Sequence, residues 1–155
     1  LYADDSKIIA SISSNEDSAA LQGDLYEICE WCHKWGMELN FKKCKVIRFG
    51  TKVTKYPYYL RDSADGVYLI ADSECERDLG VLVPSNLKWK EQVQSAVNKA
   101  NKILGLLRNS FVYRGTDLWK TLYTAYVRPQ LEFANSCWLP PNKKEQDLLE
   151  SVQKR

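Results

Sequence analysis

The spacing of apolar positions changes period along this chain, and each change predicts an element. Residues 7–12 alternate and are rich in isoleucine, which predicts a strand leaving the acidic pair Asp4-Asp5. Ser13, Ser14 and Asn15 are helix-start residues. Leu21, Leu25, Ile28, Cys29, Cys32 and Trp35 then recur at three- and four-residue spacing, the mark of an amphipathic helix, with Gly36 placed to end it. Short strands are expected over 46–49, 58–60, 67–70 and 79–83. The middle two read as a hairpin around the Asp-Gly loop 61–66, and Pro84 stops the last. Beyond Pro84 the period is helical. Trp89, Val93, Val97, Ala100, Ile103, Leu104 and Leu107 form one stripe, and Leu118, Leu122 and Tyr126 a second, capped by Thr116. Arg128 precedes Pro129, so a boundary is expected there, followed by a short helix to about residue 137. Pro140-Pro141 ends it. Asn142 and Glu145 open a last helix carrying Leu148, Leu149 and Val152.

A long helix among short strands, followed by helices alone, predicts an α+β fold, divided into residues 1–84 and 85–155. The chain has 155 residues, 45% hydrophobic and 27% charged, as in an ordinary globular protein. No apolar run reaches the length of a membrane span, and there is no secretory signal pattern. The five cysteines are scattered and odd in number, which points to reduced thiols. Net charge is +2, but residues 1–85 carry 10 Lys+Arg against 14 Asp+Glu, and residues 86–155 carry 12 against 6. An acidic front and basic rear suit a protein that holds metal at one end and a polyanion at the other; on charge alone, two ordinary solvated faces are the simpler account.

Adjacent carboxylates raise each other's pKa unless a cation compensates, and magnesium, a hard cation, takes oxygen ligands. Asp4-Asp5 is therefore a candidate metal turn, although an arbitrary Asp-Asp is usually just a polar turn. Cys29-Glu30-Trp31-Cys32-His33 has the spacing of a c-type haem attachment. It lies inside an amphipathic helix with both cysteines on the apolar face, so no haem is expected. His33 is the sole histidine and no second cysteine pair has ligand spacing, so zinc is not expected either.

The order of segments carries more information. Leu1-Tyr2-Ala3-Asp4-Asp5-Ser6 is followed by the tryptophan-ended helix, then by Trp35-Gly36-Met37-Glu38-Leu39-Asn40-Phe41-Lys42-Lys43-Cys44 and Val46-Ile47-Arg48-Phe49-Gly50. Asp78-Leu79-Gly80-Val81, Val127-Arg128-Pro129, Leu131-Glu132-Phe133-Ala134, Trp138 and Leu149-Glu150-Ser151-Val152-Gln153-Lys154-Arg155 come after. In this order, and over essentially the whole chain, these segments resemble the reverse transcriptases of non-LTR, LINE-like retrotransposons. The resemblance implies the rear part of a right-hand polymerase palm over 1–84 and a helical thumb over 85–155. It implies RNA-directed DNA polymerisation by two Mg2+ ions that clamp an in-line displacement at phosphorus. RNA template, DNA primer and deoxynucleotide would be its partners, and an element ribonucleoprotein in nucleus and cytoplasm its setting.

Roles then follow position by position. Asp4 would be the main metal ligand and Asp5 its support. Tyr2 would pack near the primer terminus. Lys43 would be the acid that protonates leaving pyrophosphate; the ordinary alternative is a solvated lysine beside Lys42 and Lys45. Leu79, Gly80 and Val81 would grip the primer strand, Gly80 because a backbone without a side chain can come close to a ligand. Lys99, Lys102, Arg108 and Arg114 would touch phosphates of the template–primer duplex without reading sequence. Trp89, Trp119 and Trp138 are expected in the core. The chain opens within the first motif, so a longer parent carrying fingers and another catalytic aspartate is expected, and the fragment alone is expected to be inactive. Two alternatives stand beside this one: a non-enzymatic nucleic-acid-binding remnant of such an element, and a retron or group II intron enzyme.

Overall fold

The first long helix is fixed by its ends. Ser14 has extended backbone, and its Oγ accepts the Asp17 N–H at 3.2 Å. The Asp17 carboxylate accepts the N–H groups of Ser13 and Ser14 at 2.8 and 2.9 Å. This reciprocal capping box starts α1 (Asn15–Lys34) where the sequence predicts. At the other end Gly36 takes φ +65°, its N–H donating to His33 O and the Met37 N–H to Cys32 O. That is a Schellman cap, which a residue with a Cβ forms only under strain. The computed structural model describes residues 5–50, 55–64, 66–113 and 115–154.

The described chain is mixed α and β and falls into two compact units, Leu1–Ser73 and Glu74–Arg155. The first contains α1 with β1 (Lys45–Ile47), β2 (Tyr59–Arg61), β3 (Val67–Leu69) and β4 (Ala71–Ser73). β2 and β3 form the expected antiparallel hairpin, with Leu60 opposite Tyr68. β1 pairs with β4 in parallel, Val46 opposite Asp72, a pairing that alternation in either segment could not announce. Arg48 secures it, binding the Asp72 carboxylate through Nε and Nη2 and donating to Tyr56 O. Gln22 ties α1 to β2 by offering its amide as a second strand would: Nε2 donates to Tyr59 O and Oε1 accepts the Tyr59 N–H, both at 2.8 Å. Cys29, Tyr58, Leu60 and Ile70 are the buried core of this unit.

Three expectations fail in this unit. Residues 7–12 form no strand, and Ile9 is 92% exposed; alternation prepares a strand, but among the described residues of this stretch the one bridge is at Asp5. The strand expected over 46–49 shifts to Lys45–Ile47 and leaves Phe49 exposed. Trp35 is exposed, because it lies at the C-cap beyond the last full turn of the stripe.

The second unit begins with a hairpin, β5 (Cys75–Asp78) and β6 (Val81–Pro84). The division expected after Pro84 thus falls earlier, and the hairpin belongs with the helices. Gln92 is one reason: buried in α2 (Lys90–Ser110), its Oε1 accepts the Leu82 N–H at 2.9 Å. Val81, Val93, Ala96, Val97, Ala100, Leu104, Val127, Trp138 and Val152 form one core. Burying each of its valines contributes roughly 1.5–3 kcal/mol.

Helix α3 (Thr116–Leu122) has Gly115, not Thr116, at its N-cap, with no side-chain cap bond. The boundary expected before Pro129 is not a break. The chain widens into a π turn over Tyr123–Val127, with the Arg128 N–H donating to Tyr123 O, and continues as α4 (Arg128–Glu132). Proline lacks an N–H and its ring crowds the carbonyl four residues back; a π turn accommodates both defects without ending the helix. The wider turn also shifts the stripe, leaving Tyr126 exposed and Val127 fully buried. α4 stops at Glu132, short of the expected residue 137. The last helix, α5 (Lys143–Gln153), has Asn142 at its N-cap without a side-chain bond, so the near-capping-box spacing is not used. Among the described residues no helix is long and apolar enough to cross a membrane.

Candidate functional site

Of the residues singled out by sequence, Tyr2, Asp4 and Arg114 lie outside the described residues. Asp5 and Lys43 are both exposed. Lys43 sits on a turn, its N–H donating to Asn40 O at 2.9 Å, rather than on a strand. Among the described residues, no three His, Cys, Asp or Glu side chains converge as a metal site.

Leu79, Gly80 and Val81 are brought together, but only Val81 lies in a strand, as the first residue of β6. Asp78 pairs with Val81 across the hairpin, so Leu79 and Gly80 form its two-residue tip. Both have positive φ, +45° and +90°. Positive φ at both central positions defines the type I′ turn, whose twist matches that of the strands and whose preferred occupants are Asn-Gly. Gly80 meets this demand freely. Leu79 meets it under strain, with its side chain 53% exposed. Val81 is 8% exposed and belongs to the core, so it can offer a ligand little but backbone.

A residue from the distant Leu131-Glu132-Phe133-Ala134 segment joins this tip. A Cβ on Gly80 would stand 3.1 Å from Phe133 Cε1. Phe133 is itself held in place, because its carbonyl accepts the indole N–H of buried Trp138 at 2.7 Å. Sequence offers no sign of this approach beyond the glycine itself. Trp138 is core, as predicted, whereas Trp89 and Trp119 are only partly buried.

Helix α2 carries Lys90, Lys99, Lys102 and Arg108 against Glu91. Lys99, Lys102 and Arg108 are all exposed. At about 100° per residue, Lys99 and Lys102 share one flank, whereas Arg108 lies about 180° from Lys99 on the other. The three do not form one patch, and a duplex on one flank of α2 would meet Lys99 and Lys102 without Arg108.

The first unit has an open groove of about 660 Å³, lined largely by the Glu38–Cys44 part of the lysine-bearing motif. It is walled by Glu38, Phe41, Lys42, Lys45 and Tyr68, among others. Phe41 and Tyr68 stack with ring centroids 4.6 Å apart and planes 1° from parallel. The Tyr68 hydroxyl donates to Asp62 at 2.9 Å, and the same carboxylate accepts the N–H groups of Gly66 and Ala64. The Gly66 N–H first, then the Tyr68 hydroxyl, hold the Asp62 carboxyl below its ordinary range. Cys44 lines the groove, and burial pushes its thiol pKa up, which makes it a poor nucleophile. Cys29 and Cys32 are buried in α1.

Comparisons with known protein families, with characterised proteins and with solved structures find no match to this chain.

Proposed function

We propose that this chain is a fragment of an RNA-directed DNA polymerase of the non-LTR retrotransposon kind, with the rear of the palm and a helical thumb. The observation that carries the reading is Leu79. An L-residue in the left-handed region costs roughly 1–2 kcal/mol. Half exposed, Leu79 regains little of that through burial. Asparagine at this position would avoid the strain. Leu87 shares the positive φ (+53°) and the exposure, so what singles out Leu79 is its place at a hairpin tip in the segment that resembles the primer-gripping strand. The ordered motifs around it are the second support. In this reading Leu79 touches the primer strand, Gly80 lets the backbone approach it, and Lys99 and Lys102 neutralise phosphates of the template–primer duplex. Lys43, exposed on its turn, is the proton donor to the leaving group.

Magnesium would supply the phosphoryl-transfer chemistry. No segment of the 155 residues resembles the fingers or supplies the family's other catalytic aspartate, so the isolated chain is proposed to bind template–primer without extending it. A second reading is a non-enzymatic nucleic-acid-binding remnant of such an element. Both predict affinity for an RNA–DNA hybrid that falls steeply with salt. Leu79→Asn should weaken hybrid binding while leaving the fold intact; unchanged affinity would refute the primer-contact role. Primer extension by the isolated chain should yield no product, and clear extension would refute the proposed dependence on further residues. An intact upstream reading frame encoding the fingers and another catalytic aspartate favours the enzyme, whereas frameshifts favour the remnant.

A further inference from the structure

We infer that the groove of the first unit binds single-stranded nucleic acid, with a base stacked at Tyr68 and Lys42 and Lys45 holding the neighbouring phosphates. Tyr68 is 43% exposed, yet Phe41 stacks on one face of its ring and its hydroxyl is hydrogen-bonded to Asp62. Asp62 is in turn fixed by two backbone N–H groups of its own loop. A flat aromatic surface held this way loses little conformational freedom when a base stacks beside it. The charge is complementary. Lys42 and Lys45 line the groove against Glu38, with the Asp62 carboxylate bonded to the Tyr68 hydroxyl, and exposed Lys43 extends the same basic turn. A volume of about 660 Å³ accommodates a nucleotide, and the open groove leaves the chain room to enter and leave. Stacking platforms interleaved with cations are the means by which proteins hold single strands without sequence preference, since every base has a π-face. An unstacked strand, not a duplex, is the occupant, because paired bases offer no free face.

This inference stands on the groove residues and does not require the polymerase reading, which uses neighbouring Lys43 as a proton donor and has its strand contacts at Leu79, Lys99 and Lys102 in the second unit. The test is fluorescence anisotropy on the full chain, with labelled oligo-dT and oligo-rU of about ten nucleotides. Binding of either, falling with salt, is expected. Tyr68→Leu should lower affinity by about 5- to 100-fold, and Tyr68→Trp should retain it. The double variant Lys42→Glu, Lys45→Glu, which changes exposed charge and no core packing, should weaken binding and reduce the salt slope by about 0.7 for each phosphate no longer neutralised. No binding to either oligonucleotide overturns the inference. So does binding indifferent to both groove variants, and so does an equally charged polyglutamate peptide that binds as tightly as the oligonucleotides.

Discussion

Replacing Gly80 by alanine tests the hairpin tip and its cover together. At φ +90° a Cβ brings strain of about 1–2 kcal/mol. The new methyl also stands 3.1 Å from Phe133 Cε1 and 3.4 Å from Cζ, so the ring must swing, at about 0.5–1.5 kcal/mol for an off-rotamer side chain. Alanine stiffens the unfolded chain and returns about 0.4–1 kcal/mol. The net loss centres near about 2 kcal/mol. A double-mutant cycle separates the parts. Phe133→Ala removes the obstacle, so in that background Gly80→Ala should cost about 0.5–1.5 kcal/mol less, and the backbone strain should remain. Gly80→Asn should show the complementary pattern, easing the backbone and keeping the clash with the ring. Urea unfolding followed by tryptophan fluorescence is the assay, since Trp138, 1% exposed, reports melting of this unit. A Gly80→Ala variant within about 0.5 kcal/mol of the parent would refute the left-handed turn. Zero coupling to Phe133 would refute the close approach.

Three further predictions follow from single interactions. Leu79→Asn relieves strain at the same tip and should stabilise the second unit by about 1 kcal/mol in the same titration; a loss of stability would contradict the turn type. Trp138→Phe removes the N–H bonded to Phe133 O and leaves a gap in a packed core, so it should cost about 2–3 kcal/mol, with a near-neutral outcome counting against that bond. The capping box predicts a pH dependence. The Ser13 and Ser14 backbone N–H groups hold the Asp17 carboxyl below its ordinary range, so the unfolded chain takes up the proton first. Its stabilisation of α1 is fully present above about pH 4 and is lost as pH falls through the lower folded value. Acid titration by circular dichroism should show this loss in the parent, and Asp17→Asn should remove Asp17's share of it; an unchanged profile would exclude the box as its source.

The elements that sequence determined are those whose cause is local. The start of α1 follows from Ser14 and Asp17, and its end from Gly36, because capping groups bond within a few residues of themselves. The stripe of α2 follows from the period of its apolar side chains, and the loop 61–66 from Asp62 and the Asp-Gly signal. Fold class was legible for the same reason, as was the core position of Trp138. Where the cause was a partner elsewhere, sequence could not supply it. Residues 7–12 have the alternation of a strand but no ladder, while β4 and β5 have little alternation and pair nonetheless. Pro129 announces a break, but core packing at Val127 and a π turn carry the helix through it. Of the candidate site, the residue types at the hairpin tip were readable as a motif. Only the tertiary structure decided that Leu79 is strained and exposed, that Val81 is core, and that Phe133 covers Gly80. It likewise stacked Phe41 on Tyr68, because ring contacts across many residues are set by how strands and turns pack and leave no periodic trace in the chain.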